Sequence, residues 1–365
     1  MMTTDWTAAH IASIVDPPRA PPIRRDALTP MLPGIDLWDW WPVQDEDGAA
    51  AEIAGGMLCM LLSAPAALDP DARHGHARIR LMHRTGARWT DLGPLLPDGF
   101  SPGSREWSGC AVLNRGGDQV TLHFTAAGRR GEAQIGYEQR LFETRARLDG
   151  LRLVDWTPPV ETVAADGRLY ETDMTGGGAI GTIKAFRDPA WFRDPADGRE
   201  YLFFAASRAG SASAWNGVVG AATRDEGGWH LAEPLVSAES LNNELERPHS
   251  VYRDGLYYLF WSTQAKVFAD GGPSGPNGLY AMVADRVTGP YRPVNGSGLV
   301  FANPECAPYQ AYSWWVLADL SVHGFADMIG IDRPPATPDE ARAHFGGVPS
   351  PTLQLVLDGD RAWLA

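Results

Sequence analysis

Cysteine is scarce in this 365-residue chain: Cys59, Cys110 and Cys306 are the only three, and none stands in a CxxC spacing. That excludes a zinc site built on paired cysteines. The odd number leaves at least one thiol free or paired with another chain, and all three are expected to be buried apolar side chains. No apolar run reaches the ~18 residues of a membrane-spanning helix. Basic residues are in deficit, 31 Lys and Arg against 45 Asp and Glu, for a formal charge of −14. Nucleic acid and anionic membrane surfaces both require a basic footprint, so neither is expected as a partner. A neutral small molecule is compatible with that charge. Helical patterns are few as well. They are confined to the first 15 residues and to TPDEARAHF at 337–345, where Thr337 can cap and Glu340 sits at the third helical position.

Hydrophobic residues make up 44% of the chain, enough for a sizeable core, and 40 glycines and 29 prolines promise many turns. Short apolar or alternating runs read as strands: MLCMLLSAP, VTLHFTAA, YLFFAAS, VVGAAT, LYYLFWST, LYAMVAD and LQLVLDG. The chain is therefore expected to be all-β.

One pattern recurs: a polar group, a short strand, a tight turn and an apolar or aromatic strand. It starts at Asp39 (turn at Asp47-Gly48), at Ser108 (Gly116-Gly117), at Arg187-Asp188 (Asp197-Gly198) and at Glu246-Arg247 (Asp254-Gly255). A looser fifth copy starts near Tyr312-Ser313. Spacings of roughly 60–80 residues suit four-stranded units, so the expected fold is a five-bladed β-propeller of four-stranded antiparallel blades around a central pocket. The innermost strands would then all begin at one mouth of the channel, and Asp39, Asp188 and Glu246 would hold equivalent places there.

Carboxylates sharing one pocket cannot all stay charged, and the resulting spread of pKa values is what acid/base work needs. Glycoside cleavage uses such a pair. Trp38, Trp40, Trp41 and Trp107 lie beside them, either as core or as faces for a sugar ring.

DLWDWWPVQ (36–44), EWSGCAV (106–112), FRDP (186–189), NELERPH (243–249) and YQAYS (309–313) together resemble, in order, the motifs of glycoside hydrolase family 68, the levansucrases, inulosucrases and related β-fructofuranosidases. The resemblance implies a five-bladed propeller acting on sucrose; no cofactor and no metal are expected. It implies that Asp39 is the nucleophile, Asp188 the transition-state stabiliser and Glu246 the general acid/base. It places Trp38, Trp107, Ser108 and Arg187 around the fructosyl unit, and Glu244, Arg247, Gln264 and Tyr312 toward the leaving glucose or the acceptor. Fructose would pass to water, to sucrose or to short fructooligosaccharide or fructan acceptors. A polymer-forming levansucrase or inulosucrase is the alternative, and a silent sugar-binding propeller a lesser one, since no carboxylate is lost. Related five-bladed enzymes on fructans or arabinans are disfavoured by EWSG and WDWWP. Residues 1–30 are read as an N-terminal arm and 31–365 as a single catalytic domain.

Departures from the family pattern carry their own expectations. Gln264 stands where many polymer-forming members have arginine or histidine, which favours hydrolysis or short products. Trp314 replaces a common histidine, reshaping the acceptor side. Ala205 replaces an acidic residue, loosening the support of Arg187. Asn243 replaces an aspartate of calcium-binding members, which argues against a structural calcium ion. Glycine-rich TGGGAIG (175–181) fits no nucleotide fingerprint and reads as a loop, GGPSGPNG (271–278) reads as a loop near the rim, and His74 and His76 read as surface residues. MMTTDWTAAHIASIVDPPRAPPIRRD lacks the basic start and apolar core of a signal peptide. Some members leave the cell without one, so an extracellular or periplasmic place is set ahead of a cytoplasmic one.

Overall fold

The computed structural model describes residues 1–29, 31–174 and 182–365; the glycine-rich segment 175–181, read from the sequence as a loop, lies outside the described residues. Five antiparallel blades follow one another along the chain. Their innermost strands are Ile35–Gln44, Arg105–Leu113, Phe186–Arg193, Glu246–Arg253 and Ala311–Val316. We number the blades I to V in that order. Each innermost strand pairs antiparallel with the next strand of its own blade. All seven apolar runs read from the sequence lie in strands. The turns that join the first two strands need left-handed backbone. In blade IV, Asp254 and Gly255 have φ of 50° and 83° between the paired residues Arg253 and Leu256. Those values are the signature of a two-residue primed turn.

Every innermost strand carries a β-bulge at the same height. The register breaks between Trp38 and Trp40, Trp107 and Gly109, Arg187 and Ala190, Glu246 and His249, and Tyr312 and Trp315. This repeat makes the fifth copy, the loosest in sequence, a full member of the set. Gly109 is required beside its bulge, because a Cβ there would collide with the His123 carbonyl.

The ring is closed by tertiary contacts. Thr337 Oγ1 accepts from the Glu340 amide and caps the helix Pro338–His344. Arg342 on that helix then grips both oxygens of Asp36, at the start of blade I. Near the N-terminus, Thr4–Asp5 adds a parallel strand to blade III. Trp6 packs edge-on against Trp261 and Tyr280 of blade IV, and Ile23 donates its amide to Gln310 before blade V. Cys59 and Cys110 are buried, but Cys306 is exposed, contrary to expectation. It lies in the irregular segment before blade V, where no strand neighbour covers it.

Candidate active site

The bulges arrange ten side-chain positions in two tiers. Trp38, Trp107, Arg187, Glu246 and Tyr312 occupy the last regular position before the break, and Asp39, Ser108, Asp188, Arg247 and Ser313 the first position within it. Four of the second set have left-handed backbone: Asp39 (φ 30°), Asp188 (61°), Arg247 (49°) and Ser313 (59°). Successive residues of a regular strand face opposite sides, whereas a bulge re-aims one of them. Neighbours such as Arg187 and Asp188 therefore reach the same pocket. Non-glycine residues in this region are strained by about 1–3 kcal/mol each and cluster at functional sites. The tiers also correct an expectation: the structural counterpart of Asp39 and Asp188 in blade IV is Arg247. Glu246 aligns with Trp38 and Arg187, one step nearer the mouth.

Carboxylates and cations interlock across the blades. Ser108 Oγ donates to Asp39 Oδ2 at 2.6 Å. Arg187 Nη2 donates to Glu244 Oε2 at 2.9 Å and to Glu246 Oε1 at 2.7 Å, and its Nε lies 3.8 Å from Asp188 Oδ2. That same Asp188 oxygen accepts the Arg247 amide at 3.2 Å. Burial drives the Asp188 carboxyl up to about 7, with the charges of Glu246 and Asp39 adding to it and Arg187 and Arg247 opposing. Burial acts on Glu246 in the same direction, but Arg187 and hydrogen bonds with Tyr312 and Glu244 outweigh it and hold that carboxyl below its ordinary value. Tyr312 stands between Glu246 and Gln264, and its hydroxyl interacts with both side chains electrostatically. Trp38 and Trp107 meet at the rim by way of His74: its ring lies edge-on to Trp38 at 6.0 Å, and its carbonyl accepts from Trp107 Nε1 at 3.4 Å. His74 and His76 are exposed.

Arg247 is placed differently from the expectation that set it on the glucose or acceptor side. Its side chain is 1% exposed. It donates to the Ser313 carbonyl and hydroxyl and to the Trp40 carbonyl, and its guanidinium lies over the rings of Trp41 and Trp315. Within the bulge it turns into the channel, toward the blade I and blade V backbones. Trp40 and Trp41 are accordingly core residues. So is Trp314, which is buried and packs edge-on against Phe301. Ala205 pairs with Arg187 in register, but Arg187 keeps its support because the carboxylates it hydrogen-bonds, Glu244 and Glu246, come from the entry to blade IV. Sequence reasoning missed Gln139, which accepts from the Phe186 amide and Arg187, and Thr125, which accepts the Asp188 amide and donates to the Ser108 carbonyl. Both lie on non-inner strands, where no start motif marks them.

Asn243 is fully buried. Its Oδ1 accepts from Lys184 Nζ at 3.1 Å, and that ammonium also donates to Asn216 Oδ1 at 2.7 Å. A side-chain cation thus stands beside Asn243. Among the described residues, no group of three or more His, Cys, Asp or Glu is arranged to hold a metal ion.

Comparison with known proteins finds relatives along the whole chain. A family model described as Levansucrase/Invertase, that of glycoside hydrolase family 68, matches residues 1–217 and 207–364. A levansucrase of Pseudomonas savastanoi pv. glycinea is 30% identical over 406 aligned positions, covering 99% of this chain and 94% of the relative. The solved inulosucrase from Halalkalicoccus jeotgali bound to kestose superposes with a TM-score of 0.89 at 38% identity, covering 100% of this chain and 95% of the other. The full-length β-fructofuranosidase from Microbacterium saccharophilum K-1 shares the fold, with a TM-score of 0.85 at 24% identity, covering 100% of this chain and 83% of the other.

Proposed function

The chain belongs to glycoside hydrolase family 68, and from that premise we propose that it cleaves sucrose by a retaining, two-step fructosyl transfer and passes fructose to water or short sugar acceptors. The observation that carries this reading is the convergence of Asp39, Asp188 and Glu246 from three blades: Arg187 reaches both Asp188 and Glu246, Ser108 holds Asp39, and Thr125 joins the Ser108 carbonyl to the Asp188 amide.

In the first step a carboxylate oxygen of Asp39 attacks the anomeric carbon of the fructosyl unit. The bond to the glucosyl oxygen breaks as Glu246 delivers its proton to that oxygen, leaving fructose esterified to Asp39. Ser108 holds one Asp39 oxygen and leaves the other for attack. In the second step the Glu246 carboxylate takes a proton from water or a sugar hydroxyl. That oxygen attacks the same carbon and releases Asp39.

Burial favours the proton on Asp188, and Arg187 stabilises the anion of Glu246. Fructosyl hydroxyls donating to Asp188 would favour its charged form and return the proton to Glu246, arming the acid only when the sugar is bound.

The neutral amide of Gln264 against Tyr312 supports hydrolysis and short oligosaccharides over long polymer, because it adds no fixed charge to grip a growing chain. A time course with sucrose, measuring free glucose and free fructose separately, tests this. Equal release means water is the acceptor, and glucose in excess with the missing fructose in short oligosaccharides means transfer. Polymer formation is the second reading, favoured by the levansucrases and inulosucrase among the relatives. High-mass fructan as the main product would establish it in place of the first, and release of neither sugar would overturn both.

A further inference from the structure

The far end of the propeller channel holds a cavity of about 440 Å³ that no step of the proposed reaction uses. Gln44, Arg115, Arg193, Tyr252 and Val316 line it, one from each blade. All five lie within two residues of the ends of the innermost strands, whose starts carry the catalytic carboxylates. In blade IV, six residues of strand, at most ~20 Å, separate Tyr252 from Glu246. Between the two sites the channel is filled. Arg247 lies over the rings of Trp41 and Trp315 at 5.6 and 4.9 Å, and all three side chains are buried. The cavity is therefore a compartment of its own, not an extension of the catalytic pocket.

Its lining selects a neutral ligand rich in oxygen. Two buried donors of lining residues have no partner among the described residues: the Ser250 hydroxyl and Arg193 Nε. A buried donor left unmatched is costly, and hydroxyl or ether oxygens of a ligand would satisfy both. The arginine charges are already met. Arg193 Nη1 donates to Glu46, which also takes Arg115 Nε at 3.1 Å, and Arg115 reaches Asp47 at 3.8 Å. Asp194, which accepts the Tyr257 hydroxyl at 2.5 Å, leaves the lining with an excess of negative charge. An anion is therefore disfavoured. Trp191, Tyr252 and Trp315 supply aromatic surface, of the kind that packs on the C–H faces of a sugar ring. Aromatic walls with a few convergent polar atoms, in a volume within the ~300–1,000 Å³ of small-molecule pockets, are the build of a ligand site.

We propose that this far cavity is a second saccharide site, which binds a neutral mono- or disaccharide apart from the catalytic pocket. It shares no lining residue with the ten positions of the two tiers, so it stands independently of the fructosyl-transfer reading.

The test is a sucrose titration of the Asp39→Asn protein, labelled with fluorotryptophan and followed by fluorine NMR. The Trp191 and Trp107 resonances, each assigned by its replacement with Phe, report the far cavity and the catalytic pocket. The expected result is two saturable shifts with separate midpoints. Ser250→Ala removes an unmatched donor, and Ala318→Phe fills the cavity from a half-buried position. Each should raise the Kd read at Trp191 at least fivefold and leave that read at Trp107 within twofold. In the active protein, the same two substitutions should keep sucrose turnover within twofold of wild type. Four results would overturn the site: a Trp191 resonance that sucrose does not saturate, as for a cavity that holds only water; a Kd at Trp191 that neither substitution raises; a Trp191 shift that follows the Trp107 midpoint in every variant, which marks a relay through Arg247 and Trp315; or a saturable Trp191 response to inorganic phosphate in place of sucrose. Failure of the fructosyl-transfer reading looks different, since Trp107 would then ignore sucrose while Trp191 still responds.

Discussion

Arg247 donates to Ser313 twice, to its carbonyl at 2.9 Å and to its hydroxyl at 3.1 Å, so that the bulge of blade IV is tied to the bulge of blade V. A third bond runs to the Trp40 carbonyl of blade I. The residue that begins the second tier in one blade therefore sets the positions of two others. Arg247→Met should cost about 3 kcal/mol or more, because three buried acceptors lose their donors together. Arg247→Lys keeps the charge but not the fork and should recover part of the stability and less of the activity. Urea unfolding midpoints and kcat/KM for both variants check this, and a methionine variant as stable as wild type would contradict it.

The three carboxylates should be individually indispensable. Asp39→Asn, Asp188→Asn and Glu246→Gln are each expected to lower kcat by about 10⁴-fold or more with an unchanged circular dichroism spectrum. A variant that keeps near-normal turnover removes that residue from the assignment.

The activity should depend on pH through one shared proton. With the Asp188 carboxyl pushed up to about 7 by burial and by its anionic neighbours, the free enzyme keeps a proton in the cluster below pH 7 and loses it above. Because step one consumes that proton, kcat/KM should fall about tenfold per pH unit on the alkaline side of about 7. Initial rates between pH 5 and 9 measure this, and a profile flat to pH 9 would sink the proton assignment.

His249 links the same bulges from behind. Its Nε2 accepts the Val316 amide at 2.8 Å, so its Nδ1 donates to the Arg247 carbonyl at 2.9 Å, and the ring stacks 4.2 Å from Trp315. Burial lowers its pKa to about 3, against about 6.5 in an unfolded chain. Below pH 6.5 the unfolded state binds a proton that the folded state refuses, so this residue's stabilising contribution is whole above 6.5 and wanes as pH falls toward 3. The stability advantage of wild type over His249→Gln should shrink by about 1.4 kcal/mol per pH unit below 6.5. Denaturation of the pair at pH 7.5, 6 and 5 reads it out, and a constant difference would refute it.

Gln264 should tune the acceptor. Gln264→Arg places a cation beside Tyr312 and Glu246 and is expected to lengthen the products and raise the ratio of glucose to free fructose by about twofold or more. Product chromatography with sucrose alone checks it, and an unchanged distribution would remove Gln264 from acceptor selection.

Much of this was legible in one dimension. Strand periodicity, Asp-Gly turns and a polar group ahead of each strand carry local physics, and local physics determined the all-β blades, their number and the carboxylates at their starts. The sequence alone could not decide which neighbours share a face. Strict alternation sends Arg187 and Asp188 to opposite sides, and only the bulge, a mismatch between two paired strands, turns both into the pocket. The same bulges sent Arg247 into the channel and Trp314 into the core, while packing outside the strands left Cys306 exposed and brought Lys184 to Asn243 from 59 residues away. Composition and motif order determined the class of chemistry; register between distant strands decided the place of each side chain, because burial and electrostatics depend on neighbours that the chain reaches only when folded.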